Sequence, residues 1–341
     1  MGVQASLADV ATMAGVSLAT ASRALSPTKA DSVGSELRAR VRAAAAELSY
    51  VPNAHAQAMR RPIATIGLIV HDIGDPVAAA VAAGVLKAAA ARGLIVTIGA
   101  SGSDPEAEVR LIESQRRHRA MAVILAGSRF VESPTQRWLD EEIAALQMSG
   151  ARVVTIGQQD QTADAIVVDN AGGAAALARS LVDRGYRRFL VLAGPEYLRT
   201  SEDRVAGFRD GLAEAGVELP PECVMVSQLT RDGGYTAMRE LVDSGVTAEC
   251  VFAVDDTMAM GAVAALRDNG MTVPGDIAVA GFGDIAALRD VVPGLTTVRL
   301  PLSEMGELAF ALATAGTGEP QVRPVAGSVV LRDSTPRRDA S

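Results

Sequence analysis

Apolar residues in the first fifty positions recur at helical spacing. Four of them fall at positions i, i+3, i+4 and i+7 of a first helix: Leu7, Val10, Ala11 and Ala14. Gly15 can end this helix, and Ser17 is a good N-cap for a second short helix over 18–25. A third apolar stripe predicts a helix over 35–49. Two short helices joined at a glycine predict a helix-turn-helix in an all-α head over residues 1–50, with a bundle that only mediates dimerisation as the alternative.

From Ile63 onwards short β-rich runs alternate with amphipathic segments. The predicted strands lie at 65–70, 95–99, 122–126, 152–156, 189–193, 250–254 and 277–281. The predicted helices lie at 77–92, 105–118, 136–149, 172–184, 204–216, 233–244 and 258–269. This alternation predicts parallel sheets covered on both faces, and its length favours two doubly wound lobes over one sheet. We therefore expect an α/β two-lobed body over 63–335, with ligands bound in the cleft beyond the carboxyl ends of the strands.

The charge is distributed unevenly along the chain. The 341 residues carry a net charge of −8, but residues 1–62 carry seven Lys and Arg against four Asp and Glu, a net of +3. The rest therefore carries −11. A basic head on an acidic body fits one segment that contacts phosphates and another that does not, although chance fluctuation in a short segment explains the difference equally well.

Several classes of protein lack support in the sequence. The chain has neither a secretory start nor an uninterrupted apolar run long enough to span a membrane, so we expect it in the cytoplasm. Cys223 and Cys250 are expected to be reduced core thiols. Phosphate-binding glycine loops, a nucleophile elbow and metal-ligand spacing around the three histidines are all missing. We expect no enzymatic activity, no cofactor and no metal.

The head has a sequence that points to a specific family. LADVATMAGVSLATASRAL, followed by RVRAAAAELSYVPNAHAQAMR, closely resembles the head of the lactose/galactose repressor (LacI/GalR) family over residues 6–61. The resemblance implies that 18–24 is a recognition helix in the major groove of DNA. It assigns six residues to DNA, namely Leu18, Ala19 and Arg23 at base edges, Thr20 and Ser22 at phosphates or neighbouring edges, and Ser17 at the helix start. Arg23 suits a bidentate contact with guanine.

A hinge is expected at residues 51–62. Pro52 ends the third helix, and Asn53 can cap a short helix over Ala54–Met59 that is too short to be stable alone in water. In the family that the head resembles, two such helices pair in the minor groove and insert an apolar wedge, a position that Met59 matches. The expected DNA-binding residues of the hinge are Asn53, His55, Ala56 and Met59. A plain linker is the alternative.

The body resembles the same repressor family and the related periplasmic sugar-binding fold. The matching units are Val168-Asp169-Asn170, Gly185-Tyr186, Arg204-x-x-Gly207-Phe208, Asp255-Asp256, Val273-Pro274-x-Asp276, Gly281-Phe282 and Leu295-Thr296-Thr297-Val298-Arg299. The resemblance implies a periplasmic-binding-protein-like body whose lobes exchange segments. Lobe one is expected at 63–162 and 295–324, lobe two at 163–293 and 325–335, and a polar tail at 336–341.

The resemblance also implies residues that contact a small-molecule effector. Arg204 is expected to hydrogen-bond ligand oxygens in the cleft, with a surface ion pair to Glu202 or Asp203 as the alternative. Asp255 is expected to accept hydrogen bonds from ligand hydroxyls, with helix N-capping as the alternative. Further candidates are Asp72, Asp75, Gln158, Thr200, Leu229 and Asp284.

Three departures from the family pattern bear on the class of effector. At two positions where the family often has aromatic residues, this chain has Val77 and Ala78. Where several family members have an aromatic residue that stacks on the ligand, this chain has Leu229. A ligand-binding Asp matches Gly283, although Asp284 is adjacent. Because sugar rings favour an aromatic platform with carboxylates, we hypothesise a small polar metabolite or a sugar acid as much as a neutral sugar.

These observations together predict a sequence-specific transcription regulator, expected to be a repressor. Its partners would be a pseudo-palindromic operator in double-stranded DNA, a small-molecule effector that controls operator affinity, and a second copy of the chain. The alternatives are a small-molecule receptor without specific DNA binding and an enzyme on the same fold. The sequence leaves open the effector, the operator sequence, tetramer formation and whether the effector induces or co-represses.

Overall fold

The computed structural model divides into two compact units, Met1–Ile63 and Ala64–Ser341. It describes residues 5–26, 30–50, 64–102, 104–127, 136–157, 162–245, 247–316 and 318–338. The hinge residues Asn53, His55, Ala56 and Met59, together with Gln158 of the predicted cleft, lie outside the described residues. No described helix is long and apolar enough to cross a membrane.

The head is the three-helix arrangement that the sequence predicts. Its helices are α1 (Leu7–Met13), α2 (Leu18–Ala24) and α3 (Ser35–Glu47), with a short 3-10 turn at Ala30–Ser32. Gly15 has φ +63°, the left-handed conformation that lets the chain turn tightly between α1 and α2. Arg40 of α3 closes this turn, since its Nη2 donates to the Ala14 carbonyl at 2.5 Å. The core consists of small apolar residues: Val10, Ala11, Ala14, Ala21, Ala24, Val33, Val41, Ala44 and Ala45.

A six-stranded parallel sheet forms the first lobe. Its strands are β1 (Thr65–Val70), β2 (Ile95–Ala100), β3 (Ala122–Ala126), β4 (Arg152–Gly157), β5 (Asp164–Val168) and β11 (Val322–Val325). The strand order is β11-β5-β4-β3-β1-β2, so β2 is an edge strand. The helices of this lobe are α4 (Pro76–Ala91), α5 (Pro105–Arg117), α6 (Gln136–Met148) and α11 (Leu302–Ala313).

A four-stranded parallel sheet forms the second lobe. Its strands are β6 (Phe189–Ala193), β7 (Val224–Val226), β8 (Cys250–Ala253) and β9 (Ala278–Ala280), in the order β7-β6-β8-β9. Its helices are α7 (Asn170–Val182), α8 (Arg199–Glu214), α9 (Arg231–Asp243) and α10 (Asp256–Asp268). The carboxyl ends of these strands lead into the first turns of α8 and α10, where the candidate effector residues lie.

Two short strands form the interlobe ribbon, an antiparallel pair of β10 (Thr297–Arg299) and β12 (Ser328–Val330). The chain crosses between the lobes three times, after β5, after β10 and after β11. The helix that follows β10 is fixed by close packing on α4, because a Cβ at Gly84 would lie only 2.0 Å from the Ser303 carbonyl oxygen.

The crossings differ from the predicted lobe boundaries. Residues 163–168 were expected in lobe two, but β5 lies within the sheet of the first lobe. β5 pairs in parallel with β4 on one side and β11 on the other, and Arg152 Nε of β4 lies 2.5 Å from Asp164 Oδ2 of β5. The segment 295–299 was expected in lobe one, but Thr296 bridges Ala280 of the second sheet.

The predicted tail at 336–341 is also corrected in its described part. Directly before it, Ser334 and Thr335 are fully buried, and the Ser334 hydroxyl donates to the Val279 carbonyl at 2.6 Å. Further along, the Arg338 amide donates to the Arg184 carbonyl, and its guanidinium pairs with Glu249 at 2.9 Å. The polar composition suggested a solvated segment, but these polar groups satisfy partners on the second lobe.

Candidate DNA-contact helix and effector site

The second helix of the head presents one face to solvent. Its N-cap is Ser17, whose hydroxyl accepts from the Thr20 amide at 3.1 Å and lies 2.8 Å from the Thr20 hydroxyl. Leu18, Ala19 and Arg23 are exposed, whereas Thr20 and Ser22 are half-buried. Because the buried residues of α2, Ala21 and Ala24, lie on its other face, the candidate base-contacting side chains point outward. Contact with DNA stays a prediction.

Arg204 lies in the first half of α8 and is only 8% exposed. Its Nε donates to Asn170 Oδ1 at 2.8 Å, and its Nη1 donates to the Val254 carbonyl at 2.7 Å. The guanidinium carbon lies 4.0 Å from the ring centroid of Phe282. This burial rules out the alternative of a surface ion pair. Burial lowers the pKa of Arg204 to about 10, so the group remains a cation at neutral pH.

Two helix-capping carboxylates lie in the electrostatic environment of Arg204. Asp75 caps α4 from the first lobe, accepting from the Val77 amide at 2.9 Å. Asp255 caps α10 from the second lobe, and its Oδ1 accepts from the amide of Thr257 at 2.7 Å and from its hydroxyl. The capping role considered for Asp255 is therefore present. It does not exclude ligand contact, because both of these bonds fall on one carboxylate oxygen.

The charges of these residues act on one another across the cleft. Burial raises the pKa of Asp75, and the neighbouring carboxylates of Asp255 and Asp72 raise it further. Asp255, Asp256 and Asp75 in turn favour the charged form of Arg204. The first lobe thus contributes an acid close to the acids and the arginine of the second lobe, which is the geometry of a polar cleft.

The remaining cleft candidates lie on the loops and helix ends around this centre. Thr200 is half-buried in the first turn of α8. Leu229 is half-buried and packs close to Gly194 at the end of β6, where its Cδ1 lies 3.0 Å from the position of a Cβ. Asp72 is exposed, and its Oδ1 accepts from the Gly74 amide at 2.8 Å. Within the described ranges, no group of three His, Cys, Asp or Glu is arranged to hold a metal ion.

Asp284 is engaged differently from the prediction that it contacts effector. Its two carboxylate oxygens accept from Arg299 Nε and Arg332 Nη2, each at 2.6 Å. Burial alone would raise its pKa, but the hydrogen bonds from Arg332 and Arg299 outweigh burial and hold the pKa below the ordinary value. Because each oxygen already accepts from an arginine, the structure places this side chain in a contact with the interlobe segments.

Asp256 is a residue whose role the sequence analysis missed. It is fully buried, with Oδ1 accepting from the Thr297 hydroxyl at 2.6 Å and Oδ2 accepting from the Ile285 amide at 3.0 Å. Burial raises its pKa to about 6. Asn170 and Phe282, which hold Arg204, belong to units that match the family, but the match alone gives them no role. No local pattern distinguishes their roles.

Comparison with known proteins gives matches along almost the whole chain. A family model described as bacterial regulatory proteins, lacI family, matches residues 6–53, and a periplasmic binding protein-like domain matches residues 178–335. The HTH-type transcriptional regulator GalR of Escherichia coli (strain K12) is 34% identical, covering 99% of this chain and 98% of that protein. The HTH-type transcriptional regulator CelR of Thermobifida fusca is 32% identical, with 91% of each chain covered.

Solved structures give the same result for the fold. The transcriptional regulator CelR–cellobiose complex has a TM-score of 0.70 at 29% identity, covering 97% of this chain and 99% of that one. A lac repressor dimer bound to operator and the anti-inducer ONPF has a TM-score of 0.77, covering 98% of this chain and 100% of that one. Its identity of 24% means that this second likeness concerns the fold alone.

The variant Asp256→Asn is expected to stabilise the protein at neutral pH. The pKa of about 6 in the folded protein lies above the ordinary value of 3.8, so folding disfavours the ionised carboxyl. The protonated Asp256 side chain therefore contributes its full stabilisation below pH 4. This contribution to the free energy of unfolding, up to about 3 kcal/mol, is lost as the pH rises through 6. An asparagine can still accept from the Ile285 amide while it donates to the Thr297 hydroxyl.

Urea unfolding between pH 4 and pH 8 measures this difference. The variant and the wild type should have equal unfolding free energies near pH 4. Towards pH 7 the variant should become the more stable of the two. Asp290→Asn, at an exposed position, is the control and should leave the profile unchanged. A gap of the same size at both ends of the range would contradict the prediction.

Proposed function

The chain belongs to the lacI family of bacterial regulatory proteins, and from this premise we propose that it is a cytoplasmic repressor without enzymatic activity. As a DNA-binding transcriptional regulator with a small-molecule effector, it would bind a pseudo-palindromic operator as a homodimer. Its affinity for the operator would change when an effector occupies the cleft. The observation that carries the effector assignment is the buried cation of Arg204 beside carboxylates from both lobes.

The exposed face of α2 supports specific DNA recognition. Leu18, 51% exposed, and Ala19 offer apolar contact to a thymine methyl, and Arg23 offers the donors that suit guanine. Hydrogen bonds at the helix start hold Ser17 and Thr20 in place, so the face is preorganised without DNA. The hinge residues named above complete the proposed DNA contacts.

Selection of duplexes from a random library is expected to enrich a pseudo-palindrome. Arg23→Ala should cost about 1–3 kcal/mol on that operator and relax the preference at one base pair of each half-site. Arg42→Ala on the exposed side of α3 is the control: no base contact is proposed for Arg42, so loss of its positive charge should affect all sequences alike. Titration of labelled duplexes at fixed salt concentration measures the affinity and the base preference of each variant. Failure to enrich any sequence would instead favour the receptor without specific DNA binding.

The charges of the cleft favour a neutral polyhydroxyl effector over an acid. Asp75 and Asp255 face the cleft from opposite lobes, and two of the three nitrogens of Arg204 already donate within the protein. A ligand carboxylate would have to approach both acids, whereas hydroxyl groups can donate to them. The cellobiose in the CelR complex is a neutral sugar, which agrees with this assignment. We therefore propose a neutral sugar, with Asp72, Thr200 and Leu229 lining the site.

Calorimetric titration with neutral sugars and their matching uronic acids tests the effector class. We expect the neutral member of the best-binding pair to bind at least about tenfold tighter, because the acid meets like charge. Asp75→Asn keeps the helix cap and should narrow this ratio, whereas Asp290→Asn should not. Tighter binding of the uronic acid would overturn the assignment.

An exposed apolar face on the first lobe supports the homodimer. The outer side of α4 carries Leu86, 43% exposed, between small residues, and on the same side of the sheet the neighbouring edge strand β2 exposes Ile98, 41% exposed. Soluble monomers rarely expose aliphatic side chains next to an unpaired strand edge, because such a surface favours association with another chain. We assign this face to a second copy of the chain, since two heads are needed to bind a pseudo-palindrome.

The variant Leu86→Glu is expected to shift the protein towards monomers, because it places a charge in the centre of this face. Sedimentation velocity at several concentrations measures the change, and operator affinity should fall with it. Val292→Glu introduces the same charge at a residue that is 90% exposed elsewhere and serves as the control. If Leu86→Glu stayed dimeric, another surface would have to form the dimer.

A further inference from the structure

Two of the crossings between the lobes are joined to Arg204 or to the ring that supports it. The first crossing leads into α7, whose first residue, Asn170, accepts the hydrogen bond from Arg204 Nε. One turn later Gly173 lies against the ring on which Arg204 rests, since a Cβ there would be 3.1 Å from Phe282 Cζ. The start of the second lobe is therefore packed directly against the arginine and its aromatic support.

The second crossing is joined to the same ring through the clamp loop, which we define as Gly281–Ile285. The Gly281 and Gly283 amides donate to the Thr296 and Val298 carbonyls at 2.9 and 2.8 Å. The Leu300 amide donates back to the Gly283 carbonyl at 3.2 Å. Phe282 belongs to the clamp loop, so these three backbone hydrogen bonds join the support of Arg204 to the segment that contains β10.

Asp284 connects the clamp loop to β10 and to the segment that follows β12. Arg299, at the end of β10, and Arg332, shortly after β12, each donate to one of its carboxylate oxygens. Arg332 also donates to the Leu295 carbonyl at 2.7 Å, so it spans the two segments. Asp284 has φ +57°, a conformation that Asp tolerates better than most residues and that directs this side chain away from the regular strand path.

We propose that Asp284 is a positioning residue that couples occupancy of the effector site to the arrangement of the two lobes, by holding β10 and the segment that follows β12 to the clamp loop. This proposal rests on the proposed function, in which Arg204 contacts the effector. An effector that moves Arg204 must also move Phe282, because the two are stacked. The ion pairs of Asp284 with Arg299 and Arg332 then displace the ribbon together with the clamp loop. Without these ion pairs, the clamp loop could move while the ribbon stayed in place.

Coupling is reciprocal, so it can be tested from the DNA side without knowing the effector. Hydrogen exchange is measured on the full-length protein, alone and with the operator duplex enriched from the random library. In the wild type, operator binding should change exchange in the clamp loop, in 296–300 and in 199–205. In Asp284→Asn this change should be lost around Arg204, while operator affinity stays within about twofold because the head is intact.

Two further variants separate coupling from general weakening. Glu214→Gln removes a solvent-exposed ion pair between α7 and α8, Arg179–Glu214 at 2.7 Å, and should keep the wild-type response. Arg299→Gln should lose the response, whereas Arg299→Lys retains the charge and should restore at least part of it. An unchanged response in Asp284→Asn would overturn the proposal, as would an equal loss in Glu214→Gln.

A separate measurement on free protein keeps the proposal distinct from the proposed function. Without DNA, Asp284→Asn should raise exchange of the Gly281, Gly283 and Leu300 amides by about fivefold or more over Glu214→Gln. If no operator is enriched, the proposed function fails, but this comparison still applies. Unchanged exchange at the three amides would overturn the role of Asp284.

Discussion

The burial of one guanidinium constrains the architecture around the cleft. A cation removed from water is costly unless its donors are satisfied and its face is covered. Asn170, the Val254 carbonyl and the ring of Phe282 meet these needs for Arg204, and they come from α7, the end of β8 and the loop after β9. Each of these segments must hold its position for the cation to remain buried. The cleft floor is therefore preorganised before any ligand enters, as a site of this kind requires.

The long strands and helices of the body could be predicted from the sequence, because apolar residues recur along each of them at the spacing of a strand or a helix. The first strand and the strand at 189–193 have the predicted bounds, and the helices differ from prediction by a few residues at their ends. The short strands could not be found in this way. β11 has the sequence Val-Arg-Pro-Val and is mostly exposed, so neither alternation nor burial marks it, and its proline is tolerated because it lies at a sheet edge. Its pairing with β5 depends on residues more than 150 positions earlier.

The same distinction between local and distant interactions explains what could be predicted of the site. Caps are local, so Ser17 was identified from its neighbours, and helix capping was a stated alternative for Asp255. Arg204 was identified through the family resemblance. The roles of Asp256 and Asp284 are set by contacts distant in sequence, since Thr297 and Arg332 lie 41 and 48 positions away. Adjacent acids such as Asp255 and Asp256 differ only in the backbone that folds against them, which composition and spacing cannot show.

The charges in the cleft give one physical account of both recognition and closure. Asp75 and Asp255 belong to different lobes, and their mutual repulsion contributes to the raised pKa of Asp75. With nothing between them, this repulsion opposes the approach of the lobes. Hydroxyl groups of a neutral sugar can donate to both carboxylates, so the interactions that favour binding also remove the obstacle to closure. A ligand acid would add a further negative charge to the same space. Under the proposed function, selectivity for neutral ligands and ligand-dependent closure would both depend on this pair of side chains, and the charge of Arg204 offsets part of their negative charge.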